Sequence, residues 1–137
     1  MRDNGGLEVL GRGECLRLLA RVPVGRIAVT SHGLPEIHPV SYLVDGDHIV
    51  FRTSSEHKLA AATHDAVVAF EADDLHDGRS IGWSVMVTGR ATQVTDPNRL
   101  ATLGELAWDI RIHKPPDQFV QISLDLITGR RVLETNS

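Results

Sequence analysis

Short alternating apolar segments, punctuated by Gly, Asp and Pro, fill most of this chain and point to an antiparallel β architecture. The clearest signal is Asp45-Gly46, flanked by Glu36 to Val44 and His48 to Ser54, which reads as a two-residue hairpin. Arg26 to Thr30 puts Ile27 and Val29 on one face, and Ser31-His32-Gly33 reads as a turn. Ala66 to Ala72 is a further strand, and Asp73 to Arg79 reads as a charged loop. Ile81 to Val94 is the longest strand candidate, with Trp83, Val85 and Val87 on one face. Gly89 within that row suits a bulge or a bend. Gln118 to Leu124 is the last clear strand, and Gly129-Arg130-Arg131 precedes a short closing segment.

Three helices interrupt the strands. Glu14 to Val22 carries Cys15, Leu16, Leu19 and Val22 at helical spacing, and Pro23 ends it. Ser55 to Thr63 is Ala-rich and brief. Asp96 then Pro97 is a helix-start pair for a third helix reaching about Trp108. Residues 1–12 are expected to be a tail, and 13–137 a single domain, since 137 residues fit one. The fold class expected is mainly β, an antiparallel barrel or sandwich with a few short helices. The pattern argues against a Rossmann fold, because helices do not alternate with strands and no G-x-G-x-x-G follows one.

Charge narrows the partners. Fourteen basic residues face 18 acidic ones, a net charge of -4, which argues against a broad nucleic-acid or anionic-membrane surface. The lone Cys15 cannot form an internal disulfide, Met1 to Gly6 lacks a signal-peptide h-region, and no apolar run spans a bilayer. A cytoplasmic setting is the expectation. The seven histidines form no zinc-like pair, so no metal is expected. Cys15 lies on an apolar helix stripe and reads as core, and no G-x-S-x-G supports a hydrolase.

Chemistry concentrates in Phe51-Arg52-Thr53-Ser54-Ser55-Glu56-His57-Lys58-Leu59-Ala60, where a strand ends and a helix begins. Ser54 or Ser55 is the N-cap candidate, and a cation in the first helical turn is mildly unfavourable without an anion nearby. Arg52, Lys58 and the hydroxyls make a phosphate cradle, with His57 beside it. The competing reading is a solvated corner with ordinary surface cations.

The motifs Val24-Gly25-Arg26-Ile27-Ala28, Pro39-Val40-Ser41-Tyr42, Phe51-Arg52-Thr53 with Lys58-Leu59-Ala60-Ala61, and Val68-Ala69-Phe70-Glu71 occur in order. They continue with Gly82-Trp83-Ser84-Val85-Met86-Val87-Thr88-Gly89-Arg90 and Ile127-Thr128-Gly129-Arg130-Arg131. Together they resemble the pyridoxamine 5'-phosphate oxidase-like, FMN-binding split β-barrel family, in its smaller branch, from about residue 14 to 132. The resemblance implies a flavin phosphate held by Arg52, Thr53 and Lys58, with Ser54 and His57 adjoining. It implies an isoalloxazine ring against Pro39, Val40, Ser41 and Tyr42, closed by Trp83 and Ser84 at a homodimer interface. The chain departs from many relatives at Glu56-His57, where they carry Gly then Ser or Thr, and at Ser41, where Asn is common.

The activity so implied is an FMN-dependent oxidoreductase acting on a small molecule, with the flavin carrying the electron chemistry and no side chain assigned as acid or base. Vitamin B6 oxidation itself is not expected, because relatives with that activity are longer and carry further substrate-phosphate residues. A deazaflavin-dependent reductase of the same fold is the second reading, against which the net negative charge weighs. A non-catalytic flavin- or haem-binding module is the third.

Overall fold

The computed structural model describes residues 2, 7–54, 58–75, 82–106, 108 and 118–132. In chain order the elements are β1 (Glu8–Leu10), α1 (Arg12–Leu19), β2 (Val24–Ser31), β3 (Leu34–Asp45), β4 (His48–Thr53), α2 (Lys58–Ala62) and β5 (Ala66–Leu75). They continue with β6 (Gly82–Gln93), α3 (Pro97–Glu105), β7 (Gln118–Ser123) and β8 (Leu126–Val132). Neighbouring strands run in the order β6-β5-β2-β3-β4-β7, and β7 pairs back onto β6 to close a six-stranded antiparallel barrel. The fold is the split β-barrel that the motif order implied.

The hairpins follow from backbone conformations that few residues adopt. Between β2 and β3, His32 (φ 52) and Gly33 (φ 77) both have positive φ, as a type I′ turn requires. Between β3 and β4, Asp45 pairs with His48, so the two-residue loop is Gly46-Asp47. The turn thus sits one residue later than Asp45-Gly46, with Gly46 at the first central position and φ 58.

β6 is where the barrel splits. Its residues Gly82 to Thr88 pair with β8, whereas Ala91 to Gln93 pair with β7. Gly89 stands at the changeover, and a Cβ there would lie 1.8 Å from the Ser123 carbonyl oxygen. The expected bend is therefore a close backbone approach that only glycine permits. Inside, Tyr42 meets Phe70 edge-to-face at 4.7 Å, and Trp83, Val85 and Val87 join Ile27, Phe51 and Ile122 in the core. Cys15 is fully buried, and burial pushes its thiol pKa up, as suits a core residue.

Several expected boundaries shift. Residues 8–10 of the expected tail form β1, paired antiparallel with β8 through Glu8 and Arg131. Gly129-Arg130-Arg131, expected to precede a closing segment, lies inside a strand, β8, and the segment after Val132 lies outside the described residues. Asp73 to Leu75, read as loop, extends β5 along β6. The first helix starts at Arg12 and ends at Leu19, earlier at both ends than expected. The third helix is capped by Asp96, whose Oδ1 accepts from Asn98 N at 3.1 Å, and it ends at Glu105. Trp108 lies beyond it, its indole N–H donating to Leu103 O at 2.8 Å. Trp108 and Phe119 join a second small cluster around Val50, Val94 and Leu103, on the outer side of the barrel. No helix among the described residues is long and apolar enough to cross a membrane.

Candidate functional site

At the strand-to-helix corner, β4 ends at Thr53 and α2 runs from Lys58 to Ala62, within the expected span of Ser55 to Thr63; the cap candidate Ser55 lies outside the described residues. Alternation along β4 sends Phe51 and Thr53 inward and Arg52 outward. The Arg52 guanidinium lies 5.3 Å from the Trp108 ring centre, a cation–π contact. Lys58 is mostly exposed, and its Nζ donates to Glu36 Oε2 at 2.8 Å. The other Glu36 oxygen lies 3.3 Å from His38 Nε2. Lys58, more than the half-burial that opposes it, holds the Glu36 carboxyl below the usual carboxylate range. Each cation of the corner is thus engaged by its own neighbour, Arg52 by an aromatic and Lys58 by a carboxylate. Ser54 is half-buried, Thr53 is buried, and His57 lies outside the described residues.

The residues expected around the flavin ring divide between the two faces of the sheet. Val40, Tyr42 and Trp83 point into the core, and the Tyr42 hydroxyl donates to Leu19 O at 2.6 Å. Burial raises the Tyr42 phenol pKa well above its ordinary value. Ser41 is buried beside the link from α1 to β2, where it and Tyr42 line a cavity of about 310 Å³. Pro39 and Ser84 lie on the outer face. Pro39 is opposite Arg26, and Ser84 is opposite Asp73.

That outer face carries a groove of about 320 Å³ floored by Ala28, Ile37, Ala69 and Met86. Along its edge, Arg26 Nη1 donates to Glu71 Oε1 and Asp73 Oδ2, both at 3.2 Å. Ser84 Oγ donates to Glu71 Oε2 at 3.4 Å. Burial, and then the neighbouring Asp73, raise the Glu71 pKa to about 7 even though Arg26 pulls the other way. Two carboxyls sharing one guanidinium in a half-buried place make the proton easier to keep than to lose.

Sequence reasoning passed over Arg26, Glu36, Glu71 and Asp73. Asp73 was expected in a solvated loop, and Arg26 and Glu71 appeared only as parts of motifs. Arg26, Glu71 and Asp73 share an outward face on adjacent strands, readable once Arg26 is known to pair with Glu71, whereas Glu36 stands on the other face of β3, opposite Val29.

Comparison with known proteins gives these positions a context. The family model described as pyridoxamine 5'-phosphate oxidase matches residues 11–131. This chain belongs to that family. Its split barrel matches the FAD-binding protein of Mycobacterium smegmatis with a TM-score of 0.75 and 35% identity, covering 90% of this chain and 96% of that one. A Corynebacterium glutamicum protein provisionally named pyridoxamine 5'-phosphate oxidase matches with a TM-score of 0.79 and 29% identity, over 99% and 100% of the two chains. The uncharacterized protein Rv0080 of Mycobacterium tuberculosis is 40% identical over 131 residues, 90% of this chain and 84% of that protein. This family member therefore shares its whole barrel, not a fragment of it, with its relatives.

Proposed function

We propose that this protein binds a phosphate-bearing flavin, FMN first among them, and works as a two-fold dimer in redox chemistry on a small molecule. The observation that carries the reading is the whole-chain likeness, at 35% identity, to a protein described as FAD-binding. The donor chemistry suits a phosphate: Arg52 and Lys58 supply two cations within seven residues and Ser54 a hydroxyl, while Thr53 is buried on the inward side of β4. Charge-assisted hydrogen bonds from such groups contribute roughly 1.5–3 kcal/mol each. Arg52 is oriented in advance by Trp108, which lowers the ordering cost of contacting an anion. When bound, the flavin supplies the hydride or electron transfer. Glu71 titrates near neutrality beside Ser84, the range in which a side chain exchanges protons during a reaction.

The dimer reading draws on the outer face. Ile37, Ala28, Ala69, Thr88 and Leu126 stand opposite one another in a row across five strands. Ile37 is 70% exposed and Leu126 66%, an apolar row that one chain leaves uncovered. A two-fold axis brings this patch against itself, and Arg26 beside Glu71 and Asp73 is a mixed-sign cluster that complements its own copy. A cytoplasmic setting accords with the buried, unpaired thiol of Cys15.

An absorbance spectrum of the freshly purified protein tests the cofactor, followed by ligand release and mass spectrometry. Flavin bands with the mass of FMN are the expected result. The mass of FAD favours the second reading, which the name of the M. smegmatis relative supports. A protein that is colourless and fails to quench added FMN or FAD fluorescence removes the flavin proposal.

A further inference from the structure

Glu36 occupies an unusual place for a carboxylate. Tyr42 of β3 pairs with Phe51 of β4, so β4, ending at Thr53, reaches only the level of Val40. The start of β3 runs on past it, and α2 brings Lys58 over that stretch. Glu36 and His38, two residues apart on one face, meet there, with Glu36 between the Lys58 ammonium and the His38 ring. The cation expected to greet a ligand's phosphate therefore already holds an anion belonging to the protein.

We propose that Glu36 competes with the ligand phosphate for Lys58, and so restricts this corner to ligands bearing a dianionic phosphate. The inference rests on the reading of Arg52 to Lys58 as a phosphate corner. A neutral or singly charged group offers Lys58 little that Glu36 does not offer already. A dianion attracts Lys58 more strongly than one carboxylate does. Lys58 has three N–H donors, so a carboxylate and a phosphate can share it, but two anions on one ammonium repel each other. Whether Glu36 lets go or shares, its charge works against the incoming phosphate. His38 gives the displaced carboxylate a partner that the ligand does not take.

Flavin fluorescence quenching on the full chain tests this, with FMN and riboflavin titrated into wild type, Glu36→Gln and Lys58→Ala. Glutamine preserves the shape and the hydrogen bond to Lys58 while removing the charge. Glu36→Gln should bind FMN about three- to tenfold more tightly, the scale of a part-exposed ion pair with relief of repulsion, and riboflavin no differently. Glu36→Ala should show the same gain, which covers the case in which the amide disturbs the corner. If neither variant tightens FMN while Lys58→Ala still weakens it, the phosphate corner stands and the competition is refuted. If wild type binds FMN and riboflavin equally and Lys58→Ala changes neither, the corner reading fails, and the competition with it.

Discussion

On β6 the inward Trp83 is 7% exposed and Val85 and Val87 are fully buried, whereas the outward Met86 of the same strand is 47% exposed. Inside, side chains interlock and glycines stand where another chain segment passes too close for a Cβ. Outside, Ile37, Val67 and Leu126 lie open, and an Arg26–Glu71–Asp73 cluster sits among them. The inner face is already settled by a single chain, because its apolar area has a buried partner. The outer face has apolar area without one, and there the polar groups have room to take a ligand or a second copy.

The sharpest break of the inner face is Gly89→Ala. The added methyl would meet the Ser123 carbonyl at 1.8 Å, and backbone at a strand junction cannot swing aside as a flexible side chain can. Separating β6 from β7 there should cost about 3 kcal/mol or more, lowering the melting temperature by roughly 10 °C. Thermal unfolding followed by far-UV circular dichroism measures it. An unchanged midpoint would mean that the seam is loose and that closure depends on other contacts.

An outer-face change should leave the fold and alter assembly. Ile37→Glu places a charge at a 70% exposed site, so the melt should change little. If a second copy covers this face, the dimer dissociation constant should rise about 100-fold, as when a central apolar anchor is lost. Light scattering of wild type should then give about twice the 15.0 kDa chain mass, and the variant should approach the chain mass itself. A variant dimer as tight as wild type would move the interface elsewhere. A wild-type monomer at micromolar concentration would remove the dimer.

The rim between the two faces should respond more modestly. Lys58→Ala should weaken FMN binding at least about tenfold, the loss of one charge-assisted contact. Its thermal midpoint should hardly move, since the partner it gives up is an exposed ion pair with Glu36. A lower midpoint with unchanged FMN affinity would make Lys58 a structural residue.

The same contrast explains what the sequence could reveal. Period-two alternation marks the inward residues, so Ile27 and Val29, and Trp83, Val85 and Val87, were legible before any strand pairing was known. Gly89 was legible as a break, although its cause lies in Ser123, 34 positions away. β8 was harder, because Gly129 and two arginines interrupt its apolar alternation and were set before a short closing segment. Gly129 is there because a Cβ would come within 2.6 Å of Cys15 Sγ. β1 has three residues and depends on β8 for its partner, so it could not be seen first. At the rim, Glu36 lies 22 residues from Lys58, and on the outer face Glu71 lies 45 from Arg26. Such pairs are set by register, and alternation alone does not say which strand lies beside which. The strand end at Thr53 and the short helix after it were legible because they are local.

The smallest expected effect lies on the outer face itself, in Glu71. Burial first and Asp73 second raise its pKa from 4.5 to about 7, against the pull of Arg26. A carboxyl with a folded pKa above its unfolded one binds its proton more tightly in the native state. Its contribution to stability is therefore complete below about pH 4.5 and is lost as the pH rises through about 7. Glu71→Gln is neutral throughout, and its amide oxygen still accepts from Arg26 and Ser84. About a third of the Glu71 side chain meets solvent, so screening reduces the full linkage effect to about 1 kcal/mol. The variant should be more stable than wild type by that amount at pH 8, and the gain should vanish near pH 4.5. Urea unfolding at several pH values reads this difference, in which titration of all other groups largely cancels. Repeating it in the Ile37→Glu background removes the proposed partner copy. There the window should stay, because the burial and the Asp73 contact that raise Glu71 belong to one chain. A stability difference that is flat from pH 4.5 to 8 would mean that Arg26 outweighs Asp73, and that the outer face holds Glu71 as an ordinary ionised carboxylate.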